Sequence, residues 1–325
     1  MKSLIRISGI GKLLFIMLLP VLLLMVACGG GGGGGAAAPS SSISYTGVTT
    51  QATIDSNNAD TISTKALSGG LATAAFNVGA VQRENGAQLY YLDLYMMMEE
   101  AIQQIDLGSH REAVLVGAIS HETQTIKGVL GSCTFDGDMD TVTGQFTGTF
   151  NYQGYSTDGI MTVTGIVTAS GTYNSGTGKF STLSFFFDNV VATDGNKTLT
   201  FKLTLSSDSR TTPTTLTASG LMGESEGGKT YSINYTIKLT KFTTYNQFQI
   251  SGRIYLPDYG YVDITNPTAV KINTAAKNPY DGVFVVTGKS GTNARMSILS
   301  STTYKVEADT NGDGTYEWNS GTKNW

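Results

Sequence analysis

Tyr231-Ser232-Ile233-Asn234-Tyr235-Thr236-Ile237-Lys238-Leu239-Thr240 decides the fold. Every second side chain is apolar and every intervening one is polar. Successive side chains of a strand point to opposite faces, so this stretch predicts a strand with one buried and one wet face. The same texture recurs at Leu199, Phe201, Leu203 and Leu205, alternating with Thr198, Thr200, Lys202 and Thr204. It returns at Phe248, Ile250, Ile254 and Leu256, alternating with Gln247, Gln249, Ser251 and Arg253. Turn dipeptides punctuate these runs: Asp136-Gly137, Asp194-Gly195, Gly227-Gly228, Asn266-Pro267, Asp281-Gly282, Ser290-Gly291 and Asp313-Gly314. Short connections make neighbouring strands antiparallel. From residue 111 to 325 the expectation is a mainly β domain of about a dozen strands. Such a meander must bury its apolar faces, so it is expected to close as a sandwich or a barrel-like body.

Upstream, residues 45–110 read as a mixed segment. Tyr45 to Ile54 reads as a short strand. Asn58 is placed to cap a helix carrying Ala59, Ile62 and Ala66 on one face, with Gly69-Gly70 as its stop. A second helix is expected between Glu84 and Leu107, where Leu89, Leu92, Met96, Met97, Ala101, Ile102 and Ile105 keep roughly one face. The Met96-Met97-Met98 cluster reads as core packing.

The chain has 325 residues, 14% of them charged, and 40 glycines. About one residue in seven is threonine, a residue suited to strands and turns. Sixteen tyrosines, 13 phenylalanines and a hydrophobic fraction of 40% exclude general disorder. Residues 1–27 read as a signal peptide: Lys2, Arg6 and Lys12 precede an apolar run from Leu13 to Ala27. That run is short for a membrane-spanning helix, which needs about 20 apolar residues. Residues 28–44, with glycine from 29 to 35 followed by alanines, a proline and serines, read as a flexible tether. Removing residues 1–27 takes away three of the 21 basic and none of the 25 acidic side chains. The remainder is mildly acidic and has no electrostatic reason to bind nucleic acid.

The junction Leu24-Met25-Val26-Ala27-Cys28-Gly29 resembles a bacterial lipobox, with Met25 where leucine is more usual. The resemblance implies a diacylglycerol on Cys28, which becomes the new N-terminus. Gly29, where aspartate would imply inner-membrane retention, makes the outer membrane the expected address. The passage Tyr45-Thr46-Gly47-Val48-Thr49-Thr50-Gln51-Ala52-Thr53-Ile54, with Asn58-Ala59 and Gly69-Gly70, resembles the opening of a group of uncharacterised bacterial outer-membrane lipoproteins. Those proteins share the acylated cysteine and the glycine run. The likeness covers roughly the first 70 residues and implies no activity.

With Cys28 acylated, Cys133 stands alone, so no intramolecular disulfide forms. Cys133 reads as a small buried hydrophobe. The only histidines are His110 and His121, too few for an ordinary zinc set. Gly223-Glu224-Ser225-Glu226-Gly227 matches a nucleophile-elbow pattern, but no histidine follows His121 and the stretch reads as a hairpin loop. No enzyme is expected.

One candidate ion site stands out. Asp309-Thr310-Asn311-Gly312-Asp313-Gly314-Thr315-Tyr316-Glu317 follows an apparent strand from Tyr304 to Ala308. It resembles the first half of a D-x-N-x-D-G calcium loop. Alternate positions converge Asp309, Asn311 and Asp313, and Gly314 permits the bend. The Thr315 carbonyl and the Glu317 carboxylate could complete an oxygen shell. Position twelve is Ser320 rather than a bidentate glutamate, so weak, extracellular-type affinity is expected. The alternative is a solvated hairpin tip, because Asn-Gly and Asp-Gly favour turns without any ion.

These readings combine into a lipid-anchored envelope protein with a non-catalytic binding or structural role, calcium-stabilised near its C-terminus. Its expected partners are the membrane through the anchor, and a polysaccharide or another envelope protein. The alternative is an outer-membrane β-barrel, a channel or transporter, consistent with alternating strands and a terminal Trp325.

Overall fold

The computed structural model describes residues 42–74 and 119–325, except 175, 178, 194, 196–197, 226–227 and 274–277. Cys28, the signal, most of the tether, His110 and the helix expected at Glu84–Leu107 lie outside the described residues.

Among the described residues, fourteen strands follow one helix. The helix α1 is Ala59–Ala74. The strands are β1 (Ile119–Lys127), β2 (Leu130–Asp140), β3 (Gln145–Ser156), β4 (Thr162–Asn174), β5 (Lys179–Thr193), β6 (Thr198–Asp208) and β7 (Thr214–Glu224). They continue as β8 (Thr230–Lys241), β9 (Tyr245–Leu256), β10 (Gly260–Asn273), β11 (Asp281–Thr287), β12 (Asn293–Ile298), β13 (Thr303–Asp309) and β14 (Trp318–Asn324). They form a single sheet whose spatial order is the sequence order. Antiparallel pairing joins each strand to the next, as short connections require.

The alternating runs are strands, and their apolar sides are the buried sides. Leu199, Phe201, Leu203 and Leu205 of β6 are buried, as are Tyr231, Ile233, Tyr235, Ile237 and Leu239 of β8. They join one continuous apolar cluster that runs from Ala52 to Ala308. Of the two expected forms, sandwich or barrel-like body, barrel closure does not hold: among the described residues β1 pairs only with β2 and β14 only with β13, so the sheet is not closed into a barrel. Both edge strands are largely polar. On β1 only Ile126 is buried among its described side chains. Polar, charged edges resist further strand addition.

Helix α1 lies against β7, β8, β9 and β11 to β13. It buries Ala59, Ile62, Ala66 and Leu67, the face read from the sequence plus one residue. The helix begins where expected, since the Asn58 carbonyl accepts the Ile62 N–H at 2.9 Å. It does not stop at Gly69-Gly70 but runs to Ala74. Those glycines serve close approach instead. A Cβ on Gly69 would lie 2.8 Å from the Tyr235 hydroxyl, and one on Gly70 would lie 2.9 Å from Ile250 Cγ2. Residues 45–54 are less regular than a strand. Gln51 makes one parallel bridge to Tyr261, and Ala52 accepts the Lys289 N–H at 2.7 Å.

Three of the expected turns lie in strands. Asp136-Gly137 sits in β2, where Gly137 pairs with Gly148 of β3. The Phe135 ring occupies the space above both: a Cβ on Gly137 would meet Phe135 Cζ at 2.5 Å, and one on Gly148 would meet Phe135 Cε2 at 2.3 Å. Asn266-Pro267 sits in β10 at a bulge. Residues 263–269 of β10 face only 249–253 of β9 between the pairs Val262–Ile254 and Val270–Phe248. Proline has no N–H for the ladder. The Asn266 side-chain amide bridges the gap, accepting from Ile250 N at 2.7 Å and donating to the Phe248 carbonyl at 2.7 Å. Asp281-Gly282 opens β11 rather than turning.

Candidate metal centre

The loop between β13 and β14 gathers the acidic residues read from the sequence. Oxygens of Asp309, Asp313 and Glu317 all lie within 4.8 Å of one another. Asp309 ends β13 and is 1% exposed, whereas Asp313 and Glu317 are exposed. A carboxylate that buried requires partners. Its Oδ1 accepts the Gly312 N–H at 2.6 Å. Its Oδ2 accepts the Gly314 N–H at 2.9 Å and the Asn293 Nδ2–H at 3.1 Å. Asp309 is thus the wall around which the loop folds.

Two glycines make that wrap sterically possible. Gly312 and Gly314 have φ of +81° and +90°. At Gly312 space matters as well, because a Cβ there would lie 2.3 Å from the Ser290 carbonyl oxygen in the turn between β11 and β12.

The other candidate residues are present but differently engaged. Asn311 Oδ1 accepts the Asp313 N–H at 2.8 Å. Its Nδ2 donates to Glu317 Oε1 at 2.8 Å and to Asp313 Oδ2 at 3.2 Å. The Asn311 amide therefore braces two carboxylates with its hydrogens. Thr315 enters through its N–H, donated to Asp313 Oδ1 at 2.8 Å. Bonds from the Thr315 backbone and side chain hold the Asp313 carboxyl below its ordinary range, aided by Asn311. Glu317 Oε2 accepts both the Thr310 N–H at 2.9 Å and the Thr310 hydroxyl at 3.2 Å. Ser320, at position twelve, is in β14. Its Oγ accepts the Val306 N–H at 2.9 Å, repairing the ladder where the β13–β14 register shifts.

Asn293 was not legible as part of this loop. It is on β12, directly opposite Asp309 in register, and only strand pairing brings it there. The turn Lys289–Gly291 is a neighbour for the same reason.

Ser225 lies between β7 and β8, and its N–H bonds to the Thr198 carbonyl at 3.0 Å. His121 is on β1, with its Nδ1 2.8 Å from Asp138 Oδ1. Cys133 is fully buried and unpaired by any disulfide, and burial pushes its thiol up to about 12. No protein-family model matches the chain, and no curated protein or solved structure matches it significantly.

Proposed function

We propose that the protein is a lipid-anchored cell-envelope protein of the outer membrane, non-catalytic, whose C-terminal loop is stabilised by calcium. The observation that carries the anchor is Cys28, directly after an apolar signal segment and directly before a glycine run. Two acyl chains give stable attachment, since each buried CH₂ contributes about 0.8 kcal/mol. The glycine run at residues 29–35 supplies reach between the membrane and the β-rich body. The barrel alternative draws no support from an open sheet, because a membrane-spanning sheet must close on itself.

Calcium is supported by the convergence of the Asp309, Asp313 and Glu317 carboxylates. Calcium takes six to eight oxygen ligands and tolerates irregular shells. Three carboxylates this close repel one another, and a cation relieves that repulsion more fully than the Asn311 amide does. The experiment for the anchor is palmitate labelling of the wild type and of Cys28→Ala. Label on the wild type alone is the expected result, and label retained by the variant would sink the reading. For calcium, titration calorimetry should give a dissociation constant of roughly 10⁻⁴–10⁻³ M. Absence of binding in 10 mM calcium would remove the ion from the proposal.

A further inference from the structure

The polar face of the sheet carries rows of hydroxyl side chains across β4 to β7. Ser170, Ser184, Ser206 and Thr217 are direct register partners from strand to strand. Thr172 and Thr182 form the start of a second row beside the first. Together they line a surface cavity of about 470 Å³, within the size range of ordinary ligand sites. Strands lie about 4.8 Å apart, so a row of four spans about 14 Å.

The next row along β5 holds an aromatic ring. Phe186 stands between Thr168 and Thr204 in register, two residues from Ser184, and is 44% exposed. Ile166, diagonal to it on β4, is 51% exposed. An exposed phenylalanine on a water-facing sheet side contributes nothing to this core.

The hydroxyls keep hydrogen-bonding capacity. Ser184 and Ser206 share one bond at 3.0 Å, and Thr182 donates to Thr172 at 3.2 Å. Each such pair spends one donor, leaving one hydroxyl proton and several acceptor lone pairs. The one carboxylate lining the cavity, Asp208, is clamped by Arg210 through two bonds of 2.9 and 2.6 Å. The surface is therefore locally neutral, amphoteric in hydrogen bonding, and carries an apolar platform.

That combination is complementary to a pyranose ring, which has an apolar C–H face and a rim of hydroxyls that both donate and accept. We propose that this face binds a neutral polysaccharide, with Phe186 stacking under one sugar ring and the serine and threonine rows bonding the rims of its neighbours. This gives a ligand to the non-catalytic envelope protein proposed above and rests on that reading. No covalent chemistry is involved.

The test is titration calorimetry of the full chain in detergent with neutral hexasaccharides of glucose, mannose, galactose and N-acetylglucosamine. At least one should bind, and Phe186→Ala should weaken that binding tenfold or more with an unchanged melting temperature. The paired variant Ser184→Ala/Ser206→Ala should also weaken it. Phe242→Ala, an exposed ring stacked on Tyr245 in the β8–β9 turn and outside the cavity lining, should bind like the wild type. No binding by any of the four at 10 mM overturns the proposal, as does binding that Phe186→Ala leaves intact. Self-association that Phe186→Ala abolishes would also overturn it, assigning the face to a second copy of the chain. Loss of sugar binding with palmitate retained on Cys28 removes only this inference. Loss of the label with binding retained removes only the anchor.

Discussion

The Tyr235 hydroxyl donates to the Ala66 carbonyl at 3.1 Å, so a fully buried ring on β8 is pinned to a backbone oxygen of helix α1. Gly69, one turn further along the helix, leaves the space that this hydroxyl occupies. The position of α1 on the sheet thus depends on a residue type that a helix interior normally disfavours.

Gly69→Ala should therefore destabilise the protein. Alanine gains about 1 kcal/mol in helix propensity. Forcing its Cβ against a fully buried tyrosine costs about 1–3 kcal/mol. A net loss of up to about 2 kcal/mol is expected in urea unfolding. Tyr235→Phe should suppress part of that loss, because it removes the atom in the way. A double-mutant cycle showing no coupling would refute the contact as the cause.

Asn266→Ala should cost about 2–6 kcal/mol. It removes the side-chain partner of Ile250 N and Phe248 O at the bulge, and each group left unpaired costs about 1–3 kcal/mol. Asn266→Asp retains an acceptor for Ile250 N but offers no donor to Phe248, so its loss should be intermediate. Hydrogen exchange at the Ile250 amide separates the two: protection should survive in Asn266→Asp and fall in Asn266→Ala.

His121 should titrate above the ordinary histidine value. The hydrogen bond to Asp138 is the main cause, with Asp136, Asp138 and Glu122 adding attraction. A raised folded value means the pairing stabilises the β1–β2 edge fully below about 6.5 and loses that effect as pH rises through the folded value. NMR titration of the imidazole should show the upward shift, and Asp138→Asn should reduce it. An unshifted wild-type titration would contradict the pairing.

Cys133 should be inert in the folded protein. Burial raises its thiol to about 12, so almost no thiolate exists at pH 8. Disulfide-exchange reagents should modify it only after denaturation. Rapid modification in native buffer would place the side chain elsewhere.

Calcium should raise stability measurably if the β13–β14 loop binds it. With a dissociation constant of about 1 mM, 10 mM calcium adds about 1.4 kcal/mol relative to chelator. Asp309→Ala makes a poor sole test, since Asp309 also holds Gly312 and Gly314. Asp313→Asn is the better variant, because exposed Asp313 as an amide keeps the bond from the Thr315 N–H and loses only the one from Asn311 Nδ2. Equal melting temperatures of the wild type in calcium and chelator would exclude the site.

Period-two alternation is local to a strand, so the sequence by itself determined the β class and the buried face of β6, β8 and β9. It also determined the loops at Ser290-Gly291 and Asp313-Gly314, and the start of α1 after Asn58. The spacing of Asp309, Asp313 and Glu317 was likewise enough to bring their carboxylates together, because a short loop leaves few ways to place them. The tertiary structure decided whatever depends on a neighbour in another strand. Gly137 reads as a turn until Gly148 stands opposite it under the Phe135 ring. Asn266-Pro267 reads as a break until β9 supplies Phe248 and Ile250 to the asparagine amide. Gly69-Gly70 reads as a helix stop until Tyr235 and Ile250 press against it. Glycine, proline and asparagine have the same local effect in a turn and at a close approach, and only the packed neighbour distinguishes the two.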